Sequence, residues 1–267
     1  MSIISFVSAV DGPAARSVKT LSALGRDRKR TLKTSELIAR DLASYIVDEG
    51  LPEGTALPPE REMIESFGIG RNTLREALRI LETRGVITIR SGPGGGPVVR
   101  RPRPSDLGEA LTLILQFESA TFREVGEARA WLEPIVAASA ARAISKSAIA
   151  ALREVNAAIA DAPDDAEGMS RHNRRFHSII AENCGNVVLQ VFAETVIAVG
   201  DGRSVGVTYP PAQTRAIAEA HERIIEALAA HDAKAAEEAM REHLNEANAY
   251  WRRRFGDLTS QPVRWTS

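Results

Sequence analysis

The sequence has little cysteine, because Cys184 is the only one among its 267 residues. A single cysteine excludes an intramolecular disulfide framework and a cysteine-rich zinc site. No apolar run approaches the roughly 20 residues that a membrane-spanning helix needs. The first residues, Met1 to Val7, also lack the basic start of a signal peptide. We therefore expect a cytoplasmic protein with no membrane partner.

The chain also lacks an overall excess of basic charge, since its net charge is −1. The charge is unevenly distributed, however. Residues 1–103 contain 17 Lys and Arg against 12 Asp and Glu, whereas the rest of the chain is acidic overall. A basic front half is typical of a DNA-binding domain joined to a second domain. Charge fluctuates along any chain, so this division indicates a nucleic-acid partner only together with a motif.

Such a motif follows Leu57. Two short helices are predicted to meet at a glycine turn, and the second presents Arg71, Arg75 and Arg79 at four-residue spacing along one face. The apolar residues of this second helix cluster on its other side: Leu74, Ala77, Leu78 and Leu81. A helix that is basic on one side and apolar on the other, after a tight turn, is typical of a DNA recognition helix.

This region resembles the winged helix of GntR-family bacterial transcription regulators. The resemblance covers roughly residues 33–100 and rests on the string from Leu57 to Leu78 and on a glycine-rich β-hairpin wing at 86–100. The sequence departs from the family at Pro59 and Gly70. Both departures fall at predicted helix starts, where proline and glycine are tolerated.

The resemblance implies that the partner is a double-stranded DNA operator, contacted by Arg61, Arg71, Asn72, Thr73, Arg75 and Gly92. Arg71 and Arg75 begin the recognition helix and are expected to read guanine edges. Gly92 would let the wing backbone approach the minor groove closely. Arg75 has an alternative role in an intrahelical ion pair, but none of its neighbours three and four residues away is acidic.

After Pro104 the chain is rich in alanine, and apolar residues recur at three- to four-residue spacing. This pattern predicts seven helices, at about 105–118, 121–143, 146–160, 165–183, 186–200, 212–230 and 232–255. The fold class is therefore mostly α: an N-terminal winged helix-turn-helix with a small β-hairpin wing, then an antiparallel all-α bundle of six or seven helices.

Three of the five histidines share apolar helix faces in this bundle, namely His177, His221 and His243. Imidazoles directed inward from three helices can converge on one divalent metal ion such as Zn or Ni. Alternatively, each is a core histidine with its own hydrogen-bond partner. His172 and His231 do not lie on such faces.

The bundle resembles the FCD effector domain, which marks the FadR subfamily of GntR regulators. The matching strings are Glu127 to Glu133, Phe176-His177, Gly185-Asn186, His221 and Ala239 to Leu244. The predicted organisation is a mobile basic arm (1–30), the winged helix-turn-helix (31–100), a linker (101–104), an effector-binding and dimerisation domain (105–255) and a tail (256–267).

The resemblance implies a fourth metal ligand at Asn173, where the family commonly has Asp. An amide oxygen brings no negative charge, so metal affinity should fall and attraction for an anionic effector should rise. The expected effector is a small organic acid. Arg129 is a candidate second anchor for its carboxylate, and the equally weighted alternative is an ion pair with Glu133, four residues on.

The sequence thus predicts a metabolite-responsive repressor that binds a palindromic operator as a homodimer, and not an enzyme. Two regulators of the same architecture remain as alternatives: one that senses an acyl-CoA, and one for which the metal is itself the signal. A more remote alternative is a metal-dependent hydrolase, because a three-histidine metal can activate water.

Overall fold

The computed structural model describes residues 33–92, 95–200 and 207–265. The chain divides between Arg103 and Pro104 into two units. The predicted basic arm, residues 1–30, lies outside the described residues.

The N-terminal unit consists of three helices and a two-stranded antiparallel sheet. Its elements are α1 (Thr34–Asp48), α2 (Glu60–Phe67), α3 (Arg71–Thr83), β1 (Ile87–Arg90) and β2 (Gly96–Val99). In the sheet Ile87 pairs with Val99. The β-hairpin is the predicted wing, so the fold class of this unit is confirmed.

The turn between α2 and α3 sets the direction of the recognition helix. Helix α2 ends at Gly68, whose φ of 63° is the left-handed conformation that glycine adopts without strain. Helix α3 then starts at Arg71 and packs its apolar face into the core of the unit. That face consists of Leu74, Ala77, Leu78 and Leu81, all at most 2% exposed. Burial of this face leaves the arginines of α3 in solvent.

The C-terminal unit is helical. Seven helices are described in it: α4 (Pro104–Phe117), α5 (Phe122–Ala141), α6 (Lys146–Asp161), α7 (Ala166–Glu182), α8 (Val187–Val199), α9 (Pro211–Ala229) and α10 (Ala233–Thr259). The predicted helical bundle is confirmed. Its largest buried cluster includes Phe176, Ile180, Ile224 and Leu244, contributed by α7, α9 and α10. The three histidines of interest belong to these same three helices.

The helical domain extends beyond residue 255, its predicted C-terminal limit. Helix α10 runs to Thr259 across one non-helical residue, Phe255. Beyond it, the Val263 side chain is 1% exposed, and its backbone N–H donates to the carbonyl of Ala120 at 2.7 Å. These contacts place the segment through Val263 against the start of α5. None of the described helices combines the length and the apolar character needed to cross a membrane.

Candidate metal centre and DNA-binding surface

The residues predicted to contact DNA lie on the surface of the N-terminal unit. Arg61, Arg71, Asn72, Arg75 and Gly92 are exposed, and the neighbouring Thr73 is half-buried. Helix α3 begins without a side-chain cap, because Gly70 at its N-cap has none to offer. The free backbone N–H groups of its first turn suit a phosphate group.

Gly92 adopts a φ of 96° in the wing. This is a left-handed conformation that strains any residue with a Cβ atom. Gly92 and the preceding Ser91 are exposed, as an approach to a groove requires. Contact between Gly92 and DNA stays a prediction.

Arg75 has an ion-pair partner that its own helix does not supply. Its Nε atom lies 3.2 Å from Oε2 of Glu60, which opens α2. Arg61 pairs in a similar way with Glu65 at 3.6 Å, one turn along α2. Glu60 lies 15 residues before Arg75, so helical spacing could not reveal the contact. The pair holds the Arg75 side chain between α2 and α3.

Replacing Glu60 with Gln should change the free energy of unfolding by less than about 1 kcal/mol, because exposed ion pairs contribute little. Denaturant unfolding of the full chain measures this, and Glu65→Gln is the matched control on the same helix. A larger loss for Glu60→Gln alone would show that the pair holds α2 and α3 together and does more than orient Arg75.

The C-terminal unit brings three imidazoles together. His177 comes from α7, His221 from α9 and His243 from α10, and one nitrogen of each lies within 4.8 Å of the others. The residues are 2%, 0% and 4% exposed. The rings of His221 and His243 have centroids 4.8 Å apart and cross at 67°, so they meet edge to face. The helix faces deduced from the sequence therefore converge at one point in the core.

Three of these ring nitrogens have no partner. Among the described residues, neither nitrogen of His221 makes a hydrogen bond, nor does Nε2 of His177. Nδ1 of His177 instead lies 2.6 Å from Oε2 of Glu133. Leaving buried polar atoms unpaired costs about 1–3 kcal/mol each. An ordinary core histidine has a hydrogen-bond partner, so His221, with neither nitrogen paired, does not match that alternative. Three nitrogens at this spacing fit a divalent ion of the Zn type.

The surroundings keep the rings of His221 and His243 neutral. Burial, followed by the nearby imidazoles of His243 and His177, lowers the pKa of His221 well below its ordinary value. Burial and the His177 ring lower the pKa of His243 to about 3. A neutral imidazole carries the lone pair that a metal ion needs, so these two rings are in the binding-competent form at neutral pH.

The buried carboxylate of Glu133 adjoins this cluster. Oε2 of Glu133 lies 2.6 Å from Nδ1 of His177, and Oε1 lies 2.5 Å from Nε of Arg129. Burial by itself raises the pKa of Glu133, but the Arg129 guanidinium and the His177 imidazole outweigh it and lower the pKa to about 2. Glu133 is therefore a carboxylate at neutral pH.

Arg129 forms the ion pair with Glu133 that the sequence offered as the alternative to an effector contact. It is 6% exposed, pairs with Glu133, and donates from Nη1 to the carbonyl of Gly200 at 3.1 Å. Its contact with an effector stays a prediction. Asn173 is half-buried on α7, one turn before His177, and its coordination of a metal also stays a prediction.

The other histidines lie apart from the cluster. Nδ1 of His231 lies 2.8 Å from the carbonyl oxygen of Ala141, and a ring nitrogen of His172 lies 3.5 Å from the Arg171 guanidinium. They provide controls for experiments on the cluster.

Both the N-terminal and the C-terminal unit match known protein families. Residues 34–95 match the profile described as bacterial regulatory proteins, gntR family, and residues 124–246 match the FCD domain. The transcriptional repressor NanR of Escherichia coli K12 is 29% identical over 258 residues, covering 90% of this chain and 93% of NanR. NanR of Edwardsiella tarda is 28% identical over 246 residues, covering 86% and 91% of the two chains.

A solved structure described as Streptococcus agalactiae GntR is also similar, with a TM-score of 0.65 and 27% identity. The match covers 81% of this chain and 99% of that one. Similar sequence, matching profiles and similar structure thus extend over both units. The chain belongs to the FCD-containing transcription regulators of the GntR family.

Proposed function

We propose that the chain is a metabolite-responsive repressor that binds a palindromic operator as a homodimer. A small carboxylate ligand controls its affinity for DNA. The ligand binds beside a divalent metal ion held by His177, His221, His243 and Asn173. The observation that carries this proposal is the convergence of three buried imidazoles in an FCD domain. Among the described residues, both nitrogens of His221 and Nε2 of His177 have no partner.

The recognition helix supports the DNA half of the proposal. Arg71 and Arg75 stand exposed near the N-terminus of α3, where side chains of such a helix reach base edges in the major groove. Backbone and phosphate contacts position the helix, and the guanidinium groups specify guanine. One winged helix reads only a short half-site, so a symmetric dimer would supply the specificity of a palindrome.

The charge of the metal site supports a carboxylate as the effector. The proposed ligands are three neutral imidazoles and an amide, so they leave the +2 charge of an ion uncompensated. The adjoining Glu133 is balanced by Arg129 at 2.5 Å. A bound divalent ion supplies a Lewis-acidic position for a carboxylate oxygen.

The structure bears on the alternatives as well. A hydrolase needs a general base whose pKa lies near the working pH. Glu133 contacts a cluster histidine, but its pKa of about 2 and its ion pair with Arg129 make it a poor base. A long acyl-CoA needs no imidazole cluster. A sensor of the metal alone has the same site, and its test is whether metal without carboxylate changes DNA affinity.

The first experiment is elemental analysis of untagged protein purified without chelator. The proposal expects close to one equivalent of Zn, Ni or a similar ion per chain. A protein that carries no metal and takes up none on titration would contradict the metal-containing pocket, and the histidines would then pack the core or bind the effector directly.

The variant Asn173→Asp should bind the metal more tightly, because a carboxylate adds negative charge to an otherwise neutral set of ligands. Competition with a chromophoric chelator measures the affinity of the full-length protein. Asn245→Asp, at an exposed position of α10, is the matched control. Equal affinity in Asn173→Asp and wild type would mean that residue 173 is not a ligand.

A further inference from the structure

Glu133 has two contacts that a simple helical ion pair does not need. One carboxylate oxygen, Oε1, pairs with the Arg129 guanidinium on the same helix, α5. The other, Oε2, lies 2.6 Å from Nδ1 of His177 on α7. Both residues of the ion pair are almost completely buried. Burying a charged pair costs several kcal/mol per ion before the interactions offset it. A surface pair one turn along a helix would provide the same local stabilisation without that cost.

The geometry at His177 distinguishes its two nitrogens. Nδ1 of His177 lies 2.6 Å from Oε2 of Glu133, a separation within hydrogen-bond range, whereas Nε2 has no partner among the described residues. A neutral imidazole carries a single ring N–H. The group that accepts a hydrogen bond from this N–H determines which nitrogen keeps its lone pair.

We infer that Glu133 is a positioning residue for the metal site: its carboxylate accepts the Nδ1–H of His177, which leaves the Nε2 lone pair of that ring for the ion. The inference rests on the proposed metal site. Arg129 completes the arrangement, because it holds Glu133 and is itself fixed by the carbonyl of Gly200 at the end of α8. Metal-binding histidines generally need such an outer partner to fix ring orientation and basicity.

The identity of residue 173 makes this role more important here. An amide at Asn173 adds no charge, and among the described residues no carboxylate joins the three-imidazole cluster itself. Glu133 is a carboxylate that touches one of its rings. A hydrogen bond from Nδ1–H to this carboxylate would raise the donor strength of Nε2.

The test compares wild type with Glu133→Gln. The glutamine has the same shape but can turn its NH₂ toward Nδ1, which would move the ring proton to Nε2. We expect the affinity for Zn²⁺ to fall by about 10–100-fold, the usual cost of losing an outer partner. In metal-free protein, nitrogen-15 NMR of the histidines should show His177 protonated at Nδ1 in wild type but not in the variant.

Two further variants separate positioning from folding. Glu127→Gln makes the same chemical change at an exposed position of α5 and should leave both readouts unchanged. Glu133→Asp keeps the carboxylate and should retain the Nδ1–H form and recover at least part of the metal affinity. Loss of a merely structural ion pair would lower thermal stability without moving the His177 proton.

The outcomes are distinct. Wild-type protein with the His177 proton on Nε2 overturns the inference without any variant, even if Glu133→Gln does not fold. Unchanged Zn²⁺ affinity and an unchanged tautomer in a folded Glu133→Gln also overturn it. If wild type binds no metal, the proposed function fails, and the tautomer in metal-free protein still decides whether Glu133 sets His177.

Discussion

Replacing His177 and His221 together with alanine should abolish metal binding. The two substitutions remove two of the three imidazoles whose nitrogens lie within 4.8 Å of one another. The loss should exceed the roughly 10–100-fold that removal of an outer partner costs. A Zn²⁺ titration of the full chain, followed by calorimetry, measures it. Zn²⁺ should also raise the melting temperature of wild type but not of the double variant, because the ion binds the folded state.

The chain offers a matched control for this result. His172 lies on α7 with His177 but outside the cluster, so His172→Ala should bind Zn²⁺ like wild type. His177→Gln and His221→Gln keep side-chain volume and provide a second test if alanine opens too large a cavity. A folded double variant that still takes up one equivalent would mean that the ion binds elsewhere.

Replacing Arg71 or Arg75 with alanine should weaken specific operator binding by about 1–3 kcal/mol, the worth of a bidentate contact to guanine. Both side chains are exposed on α3, and neither contributes to its buried face. Binding to an operator selected from random DNA, followed by fluorescence anisotropy, gives the affinity. The loss should be smaller on non-specific DNA, since only base contacts carry sequence information.

A control variant tests whether the loss of any one positive charge weakens operator binding. Arg153→Ala removes one exposed arginine from α6, in the other unit, and should leave specific affinity nearly unchanged. The Arg75 side chain pairs with Glu60, so it would have to leave that ion pair to reach a base. If Arg71→Ala and Arg75→Ala both bound the operator like wild type, the recognition helix would be misplaced.

The sequence was most informative where local periodicity decides the structure. The four-residue spacing of the arginines on α3 and the inward faces of His177, His221 and His243 follow from helical geometry. The start of α3 at Arg71 and the burial of its apolar face agree with that prediction. A repeating pattern along one helix is enough for such features.

Contacts between segments that are far apart in the sequence cannot be predicted from periodicity within one helix. The Arg75 partner Glu60 belongs to another helix, and the approach of Glu133 to His177 depends on how α5 packs against α7. The end of the chain is a similar case. The last helix was predicted to end at about residue 255, yet α10 continues to Thr259. The single apolar residue Val263 is too short a signal to predict its burial.

The central claim is that a carboxylate ligand acts on DNA binding through the metal site. The most direct test is operator affinity, measured by anisotropy for metal-loaded and metal-stripped protein across a panel of small carboxylates. Coupling between two sites is reciprocal, so an effective ligand must also bind DNA-bound protein less tightly. The account predicts that at least one carboxylate lowers the operator affinity of metal-loaded protein and leaves metal-stripped protein unaffected. An equal response from both forms would contradict it.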